Sequence, residues 1–146
     1  MTQNRRVHSF EFLHIEAEIV QLHQFFQDWY NGDIDFSEEN FSRLSNVLAD
    51  SFKLVSPDGI VLERLPLLDG IHQAHNKKNG MRIWIEEVRV EHWFDELVLA
   101  TYHECQDFEG NATVRLSSVL FRKKPGTPNE LEWLHVHETW LDRSNV

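Results

Sequence analysis

The chemistry-bearing residues of this 146-residue chain crowd into its C-terminal third, where Tyr102, Glu104, Gln106, Arg115, Ser117, His135, His137 and Glu138 fall on strand-like segments. His135-Val136-His137 puts two imidazoles on one strand face, the spacing of a β-sheet metal pair that Glu138 or His103 would complete. No third ligand accompanies the pair at a fixed spacing, so a hydrogen-bonding role is expected and no metal. Glu104, Glu138, His135 and His137 also suit general acid–base work, which needs only one or two groups of shifted pKa in a cleft. Ser117, Ser118 and Cys105 lack a nucleophile-elbow or family-type cysteine motif, and Cys105 reads as a small buried side chain. There is no phosphate loop and no dinucleotide fingerprint, so no cofactor is expected. His72 and His75 read as surface or pocket-rim residues, and His8, His14, His23 and His92 carry no partner pattern.

Whether those groups meet depends on strand register. From Arg82 to Leu141 the hydrophobic pattern has period two, predicting strands at about 81–94, 97–108, 112–124 and 131–141. Gly110-Asn111 as a two-residue turn with glycine first predicts a type II′ hairpin. Gln106 then faces Arg115, Glu104 faces Ser117 and Tyr102 faces Val119. One face of that hairpin carries Tyr102, Glu104, Gln106, Arg115 and Ser117; the other carries Thr101, His103, Cys105, Leu116, Ser118 and Leu120. The first set can hold a polar ligand, or satisfy itself as a charge-assisted network. On the last strand Trp133, His135, His137 and Thr139 point one way, and Leu134, Val136, Glu138 and Trp140 the other. The polar connection 123–129 before it is too long to say which set joins the Glu104–Arg115 face.

The elements that position this sheet come earlier. Ile15, Ile19, Leu22, Phe26 and Trp29 form one helical face within a helix over Ser9 to Asn31, capped by Ser9 and closed by Gly32. A second helix follows Ser37 with Phe41, Leu44 and Leu48 on one side. Phe52–Val55 and Ile60–Leu62 read as a hairpin around Ser56-Pro57-Asp58-Gly59. Pro66 suits the first turn of a third helix with Leu67, Leu68, Ile71 and His75, ended by Asn79-Gly80. In the first long strand the apolar set changes phase between Ile85 and Val88, which predicts a bulge near Glu86-Glu87. Trp84, Trp93, Trp133 and Trp140 lie on the curled strands, and tryptophan on both faces of one strand favours a dimer.

Fourteen Lys+Arg against 24 Asp+Glu give a net charge of −10. Nucleic acid and anionic membranes are therefore poor partners. No apolar run approaches the ~20 residues of a membrane span. A single cysteine and a polar start favour the cytoplasm. The whole chain, 1–146, reads as a single domain with its core at about 10–142, and 41% hydrophobic residues suffice for one core.

The order helix–helix–hairpin–helix–four strands, with Phe52-Lys53-Leu54-Val55-Ser56-Pro57-Asp58-Gly59 after the second helix, resembles the nuclear transport factor 2-like (NTF2-like) superfamily. Arg115-Leu116-Ser117-Ser118-Val119-Leu120-Phe121-Arg122 and Trp133-Leu134-His135-Val136-His137-Glu138-Thr139 are similar to its SnoaL-like members grouped as domain of unknown function 4440. They are similar too to the association domain of calcium/calmodulin-dependent kinase II. The resemblance implies an α+β, cystatin-like fold: a cone-shaped half-open barrel of strongly curved antiparallel sheet around a long N-terminal helix. It also implies a pocket between sheet and helices, and commonly a dimer through the sheet. By position, the pocket arginines of the kinase domain fall on Ser118 and Glu138 here, so fold, pocket and dimer carry over, and no reaction. The expected site is Tyr102, Glu104, Arg115, His135, His137, Glu138 and Trp140, holding a small organic ligand with cofactor-free acid–base catalysis. The alternative is a non-catalytic ligand-binding or oligomerisation module.

Overall fold

A computed structural model describes residues 11–142. Helix α1 (Phe12–Asn31) is followed by α2 (Glu38–Ser45), β1 (Leu48–Val55), β2 (Val61–Glu63), α3 (Arg64–Gln73) and four long strands. The strands are β3 (Arg82–Trp93), β4 (Leu97–Phe108), β5 (Asn111–Lys123) and β6 (Leu131–Leu141). All six strands form one sheet in the order β2-β1-β6-β5-β4-β3. Every pair is antiparallel except β1 with β6, which run parallel. The architecture is thus α+β, an open curved sheet around a long first helix.

The apolar stripe of α1 makes the core. Ile15, Ile19, Leu22 and Trp29 are buried against the inner sheet residues Val98, Ala100, Val119 and Phe121. Trp29 also donates its indole N–H to the Ile71 carbonyl at 2.8 Å, so its one polar atom is satisfied inside the core. Gly32 (φ 70°) ends α1, with its N–H on the Trp29 carbonyl. The expected Ser9 cap lies outside the described residues. Ser37 caps α2 by accepting from the Asn40 N–H at 3.1 Å.

Three expectations need correction. The third helix ends at Gln73 rather than at Asn79-Gly80. The chain turns left-handed at Asn76 (φ 57°), whose N–H bonds the Trp29 carbonyl, so 74–80 is a looped segment docked on the end of α1. The first hairpin strand reaches back to Leu48, which the helical spacing places on the second helix, because Leu48 pairs with Trp133 of β6 as Lys53–Val55 pair with His135–His137, across an irregularity between the two stretches. The β4–β5 turn is Glu109-Gly110, both at positive φ (54° and 78°), with Phe108 opposite Asn111. That is the pattern of a type I′ turn, whose twist matches the strands. Glu104 therefore faces Arg115, Tyr102 faces Ser117 and Gln106 faces Thr113. The displacement is two residues, a whole side-chain period, so each face keeps its expected members. The bulge expected in β3 is present: the register shifts between Glu86 and Arg89, with Glu87 at φ 56°.

One buried network ties the helices to the sheet. Glu18, with no exposed surface, accepts from both terminal nitrogens of Arg43 (2.8 and 3.2 Å), from Asn129 (2.9 Å) and from the Trp133 indole (2.8 Å). A buried carboxylate is tolerable only with its oxygens satisfied in this way.

Candidate functional site

Between α1 and the inner sheet lies a cavity of about 180 Å³. Its walls are apolar over most of their area, with Leu22, Phe26, Phe52, Leu54, Leu67 and Ile71 among them. Charge is confined to one end, where His23 of α1, Glu104 and Gln106 of β4, Arg115 of β5 and Glu138 of β6 converge beside Tyr30 and Tyr102.

Two ion pairs build that end. The His23 Nε2 lies 3.1 Å from Glu104 Oε1, and its Nδ1 lies 2.7 Å from the Ile19 carbonyl. Both ring nitrogens face oxygens that only accept, so the imidazolium satisfies both contacts. Burial alone would push the imidazole down, but the Glu104 carboxylate, the two hydrogen bonds and Glu138 outweigh it and raise the pKa above the usual histidine value. For Glu104, burial acts upward, yet His23, Arg115 and a 2.6 Å bond from the Gln106 amide bring it down to about 2. This carboxylate stays ionised.

The second pair is looser. Arg115 Nη1 donates to Glu138 Oε1 at 3.3 Å, and the Arg115 Nε is buried without a partner. Burial and the neighbouring Glu104 charge push Glu138 up to about 7, with Arg115 and His23 only partly opposing them. Burial and Glu104 likewise raise Tyr30 to about 12, and Tyr102 well above its usual value, so both phenols remain protonated. Trp140 covers Arg115 from outside, its ring 4.7 Å from the guanidinium carbon, while its indole donates to Asp58 at 3.1 Å. Arg115 and Gln106 thus stand between the inner cavity and an outer recess that includes Trp140, Asn111 and Thr113.

Of the expected site residues, Tyr102, Glu104, Arg115 and Glu138 come together at the cavity, with Trp140 one layer out. His135 and His137 do not join them. They align with Leu120 and Ser118 on the outer sheet face. The cause is a bulge: Phe121 pairs with Trp133 and Leu120 with His135, leaving Leu134 as the extra residue. Trp133 and Val136 therefore both face inward, and Glu138 follows Val136. The sequence reading missed His23. The available signal was its place within the apolar stripe of α1, four residues after Ile19 and three before Phe26. Among the described residues no group of three His, Cys, Asp or Glu side chains is placed to hold a metal ion. None of their helices is long and apolar enough to cross a membrane.

Comparison with known proteins gives these groups a setting. Residues 15–142 match the family described as Sucrose-6-phosphate phosphohydrolase C-terminal. Among curated relatives, a probable sucrose-phosphatase 3a of Arabidopsis thaliana is 26% identical over 140 residues, 92% of this chain and 32% of that protein. Sucrose-phosphatase 2 of Nicotiana tabacum is 28% identical over 128 residues, 86% of this chain and 30% of its own. The chain thus spans about a third of the length of the curated relatives it matches. An NTF2-like protein of unknown function from Pseudomonas aeruginosa superposes with a TM-score of 0.79 at 25% identity, covering 88% of this chain and 99% of that one. The kinase II hub homology domain of Chlamydomonas reinhardtii gives 0.63 at 14% identity, covering 89% and 98%. The fold is NTF2-like.

Proposed function

The chain belongs to the Sucrose-6-phosphate phosphohydrolase C-terminal family, and on that footing we propose that it is a ligand-binding NTF2-like domain for a small organic molecule. The observation that carries the reading is the convergence of His23, Glu104, Arg115 and Glu138 at one end of an otherwise apolar cavity. An apolar pocket with a few convergent polar groups and shifted pKa values is the usual form of a small-molecule site. Tyr102, Glu104, Arg115 and Glu138 hold the polar end of the ligand, and the apolar wall takes its body. A sugar phosphate dianion suits the cavity poorly, because its single arginine is flanked by two carboxylates.

Thermal-shift titration of wild type and Arg115→Met against small acids, aromatic alcohols, steroids and polyketide-like compounds tests this reading. A ligand at about 100 times its dissociation constant adds about 2.7 kcal/mol. Stabilisation of wild type but not of the folded variant supports the pocket. A panel with no binder, and a variant that is merely less stable, overturns it.

A second reading, cofactor-free acid–base catalysis, is favoured by Glu138, whose pKa of about 7 suits proton exchange at neutral pH. Turnover lost in Glu138→Gln, with binding retained, would separate it from simple binding. We also propose a homodimer through the outer sheet face, where Leu99, Leu116 and Leu120 are only half-buried. Light scattering then gives about twice the 17.3 kDa chain mass; a monomer at micromolar concentration sinks the dimer.

A further inference from the structure

Resting on the pocket reading above, we propose that the ligand is an organic acid bound as its anion against Arg115, and that its binding draws one proton from solvent onto Glu138. The inference starts from an asymmetry between the two ion pairs. Glu104 is saturated: one oxygen meets His23 and the other meets Gln106. Among the described residues Glu138 has a single side-chain partner, Nη1 of Arg115, at a long 3.3 Å. Arg115 in turn keeps its Nε buried and unbonded. Spare donor capacity at the polar end thus sits on Arg115, and an oxygen acceptor carrying negative charge is the head group that uses it.

Seating that anion places a third negative charge beside Glu104 and Glu138. Glu104 keeps its charge because His23 and Gln106 hold it. Glu138 has no such support: the anion competes for its only partner, in a site already 6% exposed. The electrostatic strain is relieved when Glu138 binds a proton, after which its O–H can itself donate to the ligand. The groups facing Glu138 are Glu104 and Tyr102 from β4, Arg115 from β5, and His23 and Tyr30 from α1. The walls from β1 and α3 present Phe52, Leu54, Leu67 and Ile71, which carry no charge. Both tyrosines stay protonated at neutral pH, which leaves His23 as the other group whose charge could change with pH in this range.

The test uses the full chain and a series from phenylacetate to 4-phenylbutyrate, each paired with its neutral amide, titrated by calorimetry between pH 6 and pH 8. These acids are ionised throughout that range, so their own titration does not enter. If the anion binds only the protonated form, with the Glu138 pKa at about 7, affinity falls about tenfold from pH 6 to pH 8. The amides bind without that slope. Glu138→Gln, checked for folding by circular dichroism, binds the acids equally at both pH values and takes up no proton. A flat wild-type profile, or a slope that persists in Glu138→Gln and so belongs to His23, overturns the proposal. Amides that bind where acids do not overturn it while leaving the pocket standing. If neither series binds, the pocket reading falls as well.

Discussion

Replacing Glu138 by Gln should stabilise the protein at pH 8, although the change removes one half of an ion pair. The sign follows from the carboxyl's environment. Its ordinary pKa is 4.5 and the fold raises it to about 7, so ionisation is harder in the folded state than in the unfolded one. A carboxyl with a raised pKa costs nothing well below pH 4.5, where both states are protonated. Its cost grows as pH climbs through the interval and levels off above 7. At about 1.4 kcal/mol per unit, a shift of this size is worth about 3 kcal/mol. Gln has nearly the same shape, never ionises, and can still accept from Arg115 through its carbonyl. Wild type and Glu138→Gln should therefore match near pH 3.5 and diverge to about 3 kcal/mol by pH 8, the variant being the more stable. Urea unfolding at half-unit pH steps measures the difference as a displaced midpoint at constant slope. Both proteins keep a decline at alkaline pH from His23, whose raised pKa contributes stability that fades as pH rises through it. A wild type more stable than the variant at pH 8, or a difference independent of pH, refutes the reasoning and makes Glu138 an ordinary ionised partner of Arg115.

Three further perturbations probe other parts of the molecule. Glu104→Gln has the opposite pH signature: with the native pKa at about 2, wild type loses about 3 kcal/mol as pH falls from 4.5 towards 2. The variant lacks that acid limb, so its deficit at pH 6 closes near pH 2; a deficit constant with pH would count against the depressed pKa. Arg43→Met strips the fully buried Glu18 of its charged partner and should cost about 3–5 kcal/mol in chemical denaturation, whereas a loss under 1 kcal/mol would mean that Asn129 and Trp133 suffice. Gly32→Ala puts a Cβ 2.5 Å from Asn76 Cγ at a φ of 70°, lowering the melting temperature, and Asn76→Gly in the same chain should recover part of the loss; strict additivity of the two changes would contradict the clash.

The face shared by Tyr102, Glu104, Gln106, Arg115 and Ser117 was legible because strand alternation has period two. Misplacing the β4–β5 turn by one residue moves every cross-strand partner by two and changes no face. The turn itself was misread because Glu109 adopts positive φ, a conformation its side chain does not advertise. The inward set of β6 was not legible. It depends on the bulge at Leu134, set by pairing with β5 across a long connection, and local pattern carries no trace of it. His23 was hidden for a related reason: its partner lies 81 residues away. A histidine inside an apolar helix stripe shows that something polar must meet it, without showing what. The extra length of α3 came from reading Ile71 and His75 as one helical face. His75 instead lies beyond the helix end and bonds the Ile34 carbonyl at 2.7 Å. The superfamily was legible in the order of elements, while the narrower likeness to the domain of unknown function 4440 group rests on residue pattern alone.

The parallel pairing of β1 with β6 has a consequence for how the chain reaches this shape. Hairpins such as β4–β5 close short loops and form early at small entropic cost, whereas β1 must wait for a strand about eighty residues downstream. During synthesis the two helices and β1 leave the ribosome before their sheet partner has been made. Until then Leu48, Phe52 and the apolar side of α1 lack the sheet that completes their cover. The meander β3–β6 is the piece able to assemble first, and α1 with β1 then closes over it. The cavity, walled by α1, β1 and β6 together, needs all three in place. A nascent chain stalled before Leu131 would expose the same apolar surfaces to chaperones and proteases.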